Sequence, residues 1–275
     1  MRFVALVVVG ALSLGACASA DAMAPAQSPQ VAVSEEKGPA GLVGLHPGET
    51  MAYEVRLAGV LAGEAQFAVG DVGDQNGTQV VVVKSRVQTA GAAALLKRIS
   101  DEATTVVDVA TGRPISLEAA LITGDKTSTA NAKFGAHSVD VTYRRPNDKE
   151  DHRMVLRFGN TVMYDAHTAM AAVRGWRAQK GATQTVWVIG GRRPWKIDMS
   201  YDGNDTIGGE LGNRAAIVMS GKAYRAKADM TVDGDKPGRT FKVWLSDDAD
   251  RVPLKVQAET ELGDVIMDLT EYNRP

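Results

Sequence analysis

Apolar and polar residues alternate along most of this chain with the period of a half-buried strand. Met51, Tyr53, Val55 and Leu57 alternate with Ala52, Glu54, Arg56 and Ala58. After Gly59, Ala65, Phe67 and Val69 alternate with Glu64, Gln66 and Ala68. These two runs predict a hairpin turned near Gly59–Leu61, and residues 71–77 predict the next turn. Gln79–Val87 follows as a third strand with a continuous valine core. At the other end, Phe241, Val243 and Leu245 predict one strand, and Leu254, Val256 and Ala258 a second. Val265, Met267 and Leu269 predict the last. Between lie shorter runs near 103–109, 115–122, 138–143, 153–158, 185–189, 196–201, 215–220 and 226–232. Turn residues separate them at 111–114, 145–148, 202–205 and 233–235.

Two stretches change to a helical period. Ala92, Leu95, Leu96 and Ile99 fall at i, i+3, i+4, i+7, and so do Ala166, Ala169, Met170 and Val173. The second has Asp165 as N-cap, Arg174 in its last turn and Gly175 just past its end. Each apolar stripe should cover a sheet face or plug the end of a barrel. Many short strands with recurrent turns predict a mainly β fold. It should be an antiparallel curved sheet, incomplete barrel or sandwich with two short helices against it.

The first residues follow a different rule. Arg2 precedes an apolar run from Phe3 to Leu14 of about twelve residues, short of the roughly twenty that span a bilayer. Leu14-Gly15-Ala16-Cys17 then resembles the bacterial lipobox. Cys17 is the only cysteine, and it stands where a lipobox requires one. The expected organisation is a lipoprotein signal peptide over 1–16, a lipidated Cys17 with a flexible tether to residue 40, and a β-rich domain over 41–275. Ala, Pro, Ser and Gln dominate the tether. Several acyl chains on one cysteine make a lasting anchor. Ala18 rather than Asp after the cysteine favours the outer membrane, facing the periplasm, by the sorting rule of enteric lipoproteins.

Charge narrows the partners. The full chain carries −2 with no Lys/Arg run, which disfavours nucleic acid. With its single cysteine assigned to lipid, the domain has no internal disulfide and must be held by packing.

Several segments resemble the bacterial envelope family known as domain of unknown function 3108. Tyr53-Glu54-Val55, Gly59 and Gly63-Glu64-Ala65 resemble its first hairpin. Asp165 to Arg174 resembles its central helix, with Thr168 or Ala169 where that family has Ser. Phe241 to Asp248, with Arg251, Pro253 and Leu254, resembles its C-terminal signature. The resemblance runs from about Tyr53 to Leu269. It implies export and a β-rich fold, and no activity.

The candidate chemistry is sparse. His46, His137, His152 and His167 show no metal-ligand spacing, so no metal or other cofactor is expected. Asp165 and His167 are two apart on one helix and point away from each other, which places His167 on a solvent face. Asp202-Gly203-Asn204-Asp205 and residues 71–77 have a calcium-loop flavour, but tight turns require the same residue types. Asp247, Asp248 and Asp250 crowd near Arg251. Asp248 and Arg251 are read as a structural pair, with acid–base work by paired carboxylates as the other use. Trp176, Trp187, Trp195 and Trp244 are either core residues or the lining of a lipid or sugar cavity. No nucleophile elbow, zinc-protease or phosphate-loop motif is present, and Gly190-Gly191-Arg192-Arg193-Pro194 joins two strands instead of opening a helix.

The expectation is a non-enzymatic envelope lipoprotein. It would bind an apolar ligand such as a lipid or glycolipid, or dock an envelope partner protein. A ligand-free scaffold and an uncharacterised hydrolase are the alternatives. An apolar cavity above about 300 Å³ would favour a ligand, and a filled core with an exposed apolar patch would favour docking.

Overall fold

The computed structural model describes residues 41–275. The first half of the sheet comprises β1 (Thr50–Leu57), β2 (Val60–Val69), β3 (Gly73–Gln75), β4 (Thr78–Thr89) and β5 (Ile99–Asp108). It continues with β6 (Pro114–Thr123), β7 (Lys126–Phe134), β8 (Ser138–Arg144) and β9 (His152–Arg157). The second half comprises β10 (Met163–Tyr164), β11 (Thr183–Gly190), β12 (Arg193–Ile207), β13 (Arg214–Arg225), β14 (Arg239–Ser246), β15 (Pro253–Thr260) and β16 (Gly263–Asn273). Helix α1 (Gly91–Leu96) joins β4 to β5, and α2 (Ala166–Gly175) joins β10 to β11.

All 16 strands belong to one sheet. Its order is β10-β11-β12-β13-β14-β15-β16-β1-β2-β4-β5-β6-β7-β8-β9, with β3 paired to β4. Two meanders, one from each half, are therefore fused where β16 pairs antiparallel with β1, Val55 opposite Met267. Among the described residues, only the β10–β11 pairing is parallel. The fold is thus mainly β and antiparallel, as the alternation predicts.

The path begins at β10 and ends at β9, two strands that follow one another in the chain. Among the described residues, no strand pairing closes this seam. Side chains cover it instead, with Leu156, Phe158, Met163 and Ile189 buried in one cluster. A second, larger cluster contains Tyr53, Val55, Ile197, Met219, Val243 and Val256 from the fused centre of the sheet.

Turn chemistry accounts for the hairpins. Ala58 and Gly59 both adopt positive φ between β1 and β2, and so do Asn76 and Gly77 between β3 and β4. Two successive left-handed residues match the twist of the flanking strands. Elsewhere the turn reading needs correction. Residues 202–205 do not end a strand. β12 runs through them, and the register shifts between Tyr201 and Gly203. The Asp-Gly-Asn-Asp composition serves a bulge, where Gly203 takes φ +121°. Residues 226–232, read as a strand, form a loop with a single bridge between Ala226 and Val232.

The helices also part company. α1 has no buried residue, and Leu95 and Leu96 are each 89% exposed. Ile99, the fourth member of its predicted stripe, belongs to β5. α1 lies against the start of β2, with Gly91 beside Leu61, but its apolar stripe faces outward. α2 is enclosed almost all round, with Thr168, Ala171 and Ala172 buried as well as Ala169 and Val173. The segment before β1 closes over it. A Cβ on Gly44 would stand 2.3 Å from the Ala171 carbonyl oxygen, and Gly44 also has φ +76°, so only glycine permits this approach. No helix among the described residues is long and apolar enough to cross a membrane.

Candidate functional site

Helix α2 and its N-cap carry Asp165, His167, Thr168 and Arg174, all of them buried polar side chains. At its C-terminal end, Arg174 is enclosed and forms a two-pronged ion pair with Glu49, which stands just before β1. Nη1 donates to Oε1 at 2.6 Å and Nη2 to Oε2 at 3.0 Å. Nη2 also donates to the Asp250 carbonyl at 2.9 Å, and Nε to the Arg251 carbonyl at 3.1 Å. The guanidinium fork suits a carboxylate with such geometry. One side chain thus ties together the helix end, the entry to β1 and the β14–β15 turn. Its positive charge also complements the helix dipole.

At the other end, Asp165 caps the helix. Its Oδ1 accepts from the Thr168 amide at 3.0 Å and the Thr168 hydroxyl at 2.5 Å, while Thr168 Oγ1 accepts from the Asp165 amide at 3.1 Å. This is the reciprocal capping box. Asp165 Oδ2 also accepts from Thr105 Oγ1 on β5. His167 Nδ1 lies 2.7 Å from Thr105 Oγ1, and Nε2 lies 2.8 Å from Ser85 Oγ on β4. Phe67 meets the imidazole edge-on.

His167 is 3% exposed, so its expected place on a solvent face is corrected. An enclosed helix has no solvent face at this turn. Burial pushes the imidazole below its ordinary pKa, against the opposing pull of Asp165. Asp165 Oδ2 also stands 3.7 Å from His167 Nδ1, and Thr105 Oγ1 is within hydrogen-bonding distance of both.

Between α2 and the fused centre of the sheet lies an apolar cavity of about 120 Å³. Met51, Phe67, Met170, Val186, Met199 and Met267 are among its walls, and Ser85 and His167 provide its polar end. It is not sealed. Its volume is below the roughly 300 Å³ expected of a pocket for a whole drug-sized ligand. A second hollow of about 290 Å³ lies on the other side of α2, beside Gly112, Thr168 and Tyr164, and is more polar.

None of the four tryptophans lines the apolar cavity, which corrects that assignment. Trp195 is buried in the central cluster. Trp187 packs with the seam residues. Trp176 follows the end of α2 and offers its carbonyl to Arg251. Trp244 donates from Nε1 to Asp205 at 3.3 Å with Lys255 over its ring. Inward positions near the cavity are taken by Met, Val and Phe, which fill irregular space without a polar atom to satisfy.

Asp248 and Arg251 are brought together through the backbone. Asp248 Oδ1 accepts from the amides of Asp250 and Arg251, each at 3.0 Å, and from Ser246 Oγ at 2.7 Å. The Arg251 guanidinium turns away to Trp176. Arg251 has φ +46°, and the Asp248 carboxylate stabilises that turn. Asp202 in the bulge of β12, and Asp247 just after β14, have other work. Asp202 accepts from Ser200 and Ser220, and Asp247 accepts from Asn204 at 2.6 Å.

The remaining histidines are scattered. His46 lies near Asp250, His137 meets the Gly159 carbonyl at 2.8 Å, and His152 stacks on Tyr143. Among the described residues, no three His, Cys, Asp or Glu converge to hold a metal. Cys17 lies outside the described residues.

Glu49, Ser85 and Thr105 escape a reading by motif. For two of them the strand alternation carries a signal. Ser85 continues the inward series Val81, Val83, Ser85, Val87, and Thr105 sits between Ala103 and Val107. A polar residue at an inward position needs a buried partner.

The site and sheet define a class: an incompletely closed, barrel-like antiparallel sheet wound around a buried helix. The chain belongs to the family described as Protein of unknown function (DUF3108), whose model matches residues 52–270. No curated protein matches its sequence. Among solved structures, it is similar to the beta-barrel-like protein of domain of unknown function DUF1849 from Brucella abortus. The TM-score is 0.55 at 12% identity, covering 82% of this chain and 97% of that one. An exported protein with a YmcC-like fold from Bacteroides fragilis gives a TM-score of 0.39 at 7% identity, over 86% of this chain and 100% of that one. The hypothetical lipoprotein YmcC from Escherichia coli gives 0.31 at 10% identity, over 85% and 88%. The Brucella likeness shows a shared barrel-like fold.

The ion pair and the histidine each generate a test. Arg174→Met leaves Glu49 charged and buried, so stability should fall by about 3–5 kcal/mol in urea unfolding. Adding Glu49→Leu should recover most of that loss, and a double variant as weak as the single would refute the account. For His167 the folded pKa lies below the unfolded value of about 6.5, so protonation favours the unfolded chain. The melting temperature should be flat above that pH and fall as pH drops below it. His167→Gln should flatten part of this decline, and an unchanged profile would show that His167 does not contribute.

Proposed function

We propose that this chain is a lipid-anchored protein of the bacterial envelope that holds an apolar ligand inside its barrel-like sheet. Cys17 and its lipobox-like context support the anchor, and Ala18 supports the outer membrane facing the periplasm. The ligand reading is carried by one observation, the unsealed apolar cavity against α2. At about 120 Å³ it is close to the roughly 150 Å³ that accommodates a benzene ring. It would hold a segment of a lipid hydrocarbon chain, with the rest of the molecule outside. No step of catalysis is assigned to it.

A second reading rests on the outer surface. Val60 (66% exposed), Leu61, Leu95, Leu96 and Leu262 all stand at one end of the sheet. The β1–β2 turn, the β15–β16 turn and α1 meet there because β1 pairs with both β2 and β16, and β2 with β4. Exposed apolar side chains gathered in this way mark a docking surface, here for an envelope partner protein.

Mass spectrometry separates the two readings. The chain from Ala18 onward would be exported behind an ordinary cleavable leader, purified without detergent and extracted. A stoichiometric lipid is the expected result, and an empty protein would leave the docking surface as the leading idea. For the anchor, Cys17→Ala should abolish processing and lipid attachment; a normally processed, membrane-bound variant would refute it.

A further inference from the structure

With Asp165 as a carboxylate and His167 neutral, the hydrogen-bond chain at the polar end of the cavity has one consistent placement of its protons. Asp165, fully enclosed, accepts from Thr168 on one oxygen and from Thr105 on the other. Thr105 has a single hydroxyl proton, and the carboxylate takes it. Thr105 Oγ1 can then only accept from His167 Nδ1, 2.7 Å away. The imidazole, kept neutral by burial, carries its one proton on Nδ1, so Nε2 is a bare acceptor. Ser85 Oγ, 2.8 Å from Nε2, must donate to it. With its proton committed, Ser85 turns to the cavity as a pure acceptor. The buried carboxylate at the far end thus decides, through three side chains, what the cavity can recognise.

Phe67, Val87 and Met170 are among the apolar walls; of the polar ones, Gln66 belongs to the exposed series of β2 and the buried Tyr53 hydroxyl donates to the Pro253 carbonyl. Arg174 borders the cavity, but its guanidinium is engaged by Glu49 and by the Asp250 and Arg251 carbonyls. A ligand bringing a second acceptor would meet no uncommitted donor among the buried lining side chains, and a carboxylate would face the Ser85 lone pairs. To serve a carboxylate, Ser85 would have to withdraw its proton from Nε2 and leave that nitrogen unsatisfied.

We propose that the cavity selects hydrocarbon ligands that end in a hydroxyl group, which donates to Ser85 Oγ, and rejects ionised fatty acids. The inference rests on the reading of the cavity as an apolar-ligand site and names the chemical class that site takes.

The test uses the chain from Ala18 onward, which retains every described residue, and three small probes followed by amide chemical-shift titration. 1-Hexanol and 1-methoxypentane are isomers of similar shape, but only the alcohol has a donor. Hexanoate at about pH 7.5, above the carboxylate range, brings only acceptors. Wild-type protein should bind 1-hexanol about tenfold more tightly than 1-methoxypentane, the worth of one well-made hydrogen bond, and hexanoate most weakly. Ser85→Ala alone would uncover the His167 Nε2 acceptor, so it is combined with His167→Phe. This double variant should bind the alcohol and the ether equally while keeping its affinity for the ether. Equal binding of the two isomers by wild type, needing no variant at all, would overturn the hydroxyl selection and leave the apolar site standing. A preference that survives in the double variant would also overturn it. If neither isomer binds, the apolar-ligand reading falls, and the selection with it.

Discussion

The contact between Arg174 and Glu49 is the constraint on which the rest of this structure depends. A sheet that does not close by hydrogen bonding needs something inside to set its curvature. Here α2 does so, and the enclosed guanidinium fixes its last turn to the start of β1 and to the β14–β15 turn. β1 is also the strand that fuses the two meanders, through β16 on one side and β2 on the other. One ion pair therefore links the helix to the junction of both halves. Two charges taken out of water are costly unless every donor and acceptor is used, and Arg174 spends its donors on one carboxylate and two carbonyls.

The opposite end of α2 obeys the same rule with neutral groups. Asp165 joins the capping box to a strand through Thr105, and Thr105 passes the connection to His167 and Ser85. The helix is thus pinned to β4 and β5 at one end and to β1 at the other. The cavity lies between these two fixed ends and the fused centre of the sheet. Polar groups hold the helix in place, and methionine, valine and phenylalanine shape the space beside it.

This division explains why candidate chemistry chosen from residue type alone went astray. Tryptophans stand out in a sequence because they are large and few, but their indole nitrogens need partners, and Trp244 finds one at Asp205 away from the cavity. Acidic clusters stand out for their charge, but Asp202, Asp247 and Asp248 are consumed by a bulge and a tight turn. The residues that matter to the interior are single polar side chains at inward strand positions, which no motif marks.

Strand alternation, turn composition and helix capping are local, and for that reason they are legible in the chain. The β class, a hairpin turn at Gly59, and the start of α2 with its Asp165 cap all follow from neighbours within a few residues, whereas α2 runs through Gly175 to a C-cap at Trp176 instead of stopping before that glycine. The same reasoning misjudged α1 and residues 202–205, because periodicity reports which residues share a face and not whether anything covers it. Glu49 and Arg174 lie 125 residues apart, and His167 and Ser85 lie 82 apart. Only the folding of one sheet around one helix brings those groups within hydrogen-bonding distance. The exclusion of water then makes each such pairing compulsory, and that condition belongs to the tertiary structure alone.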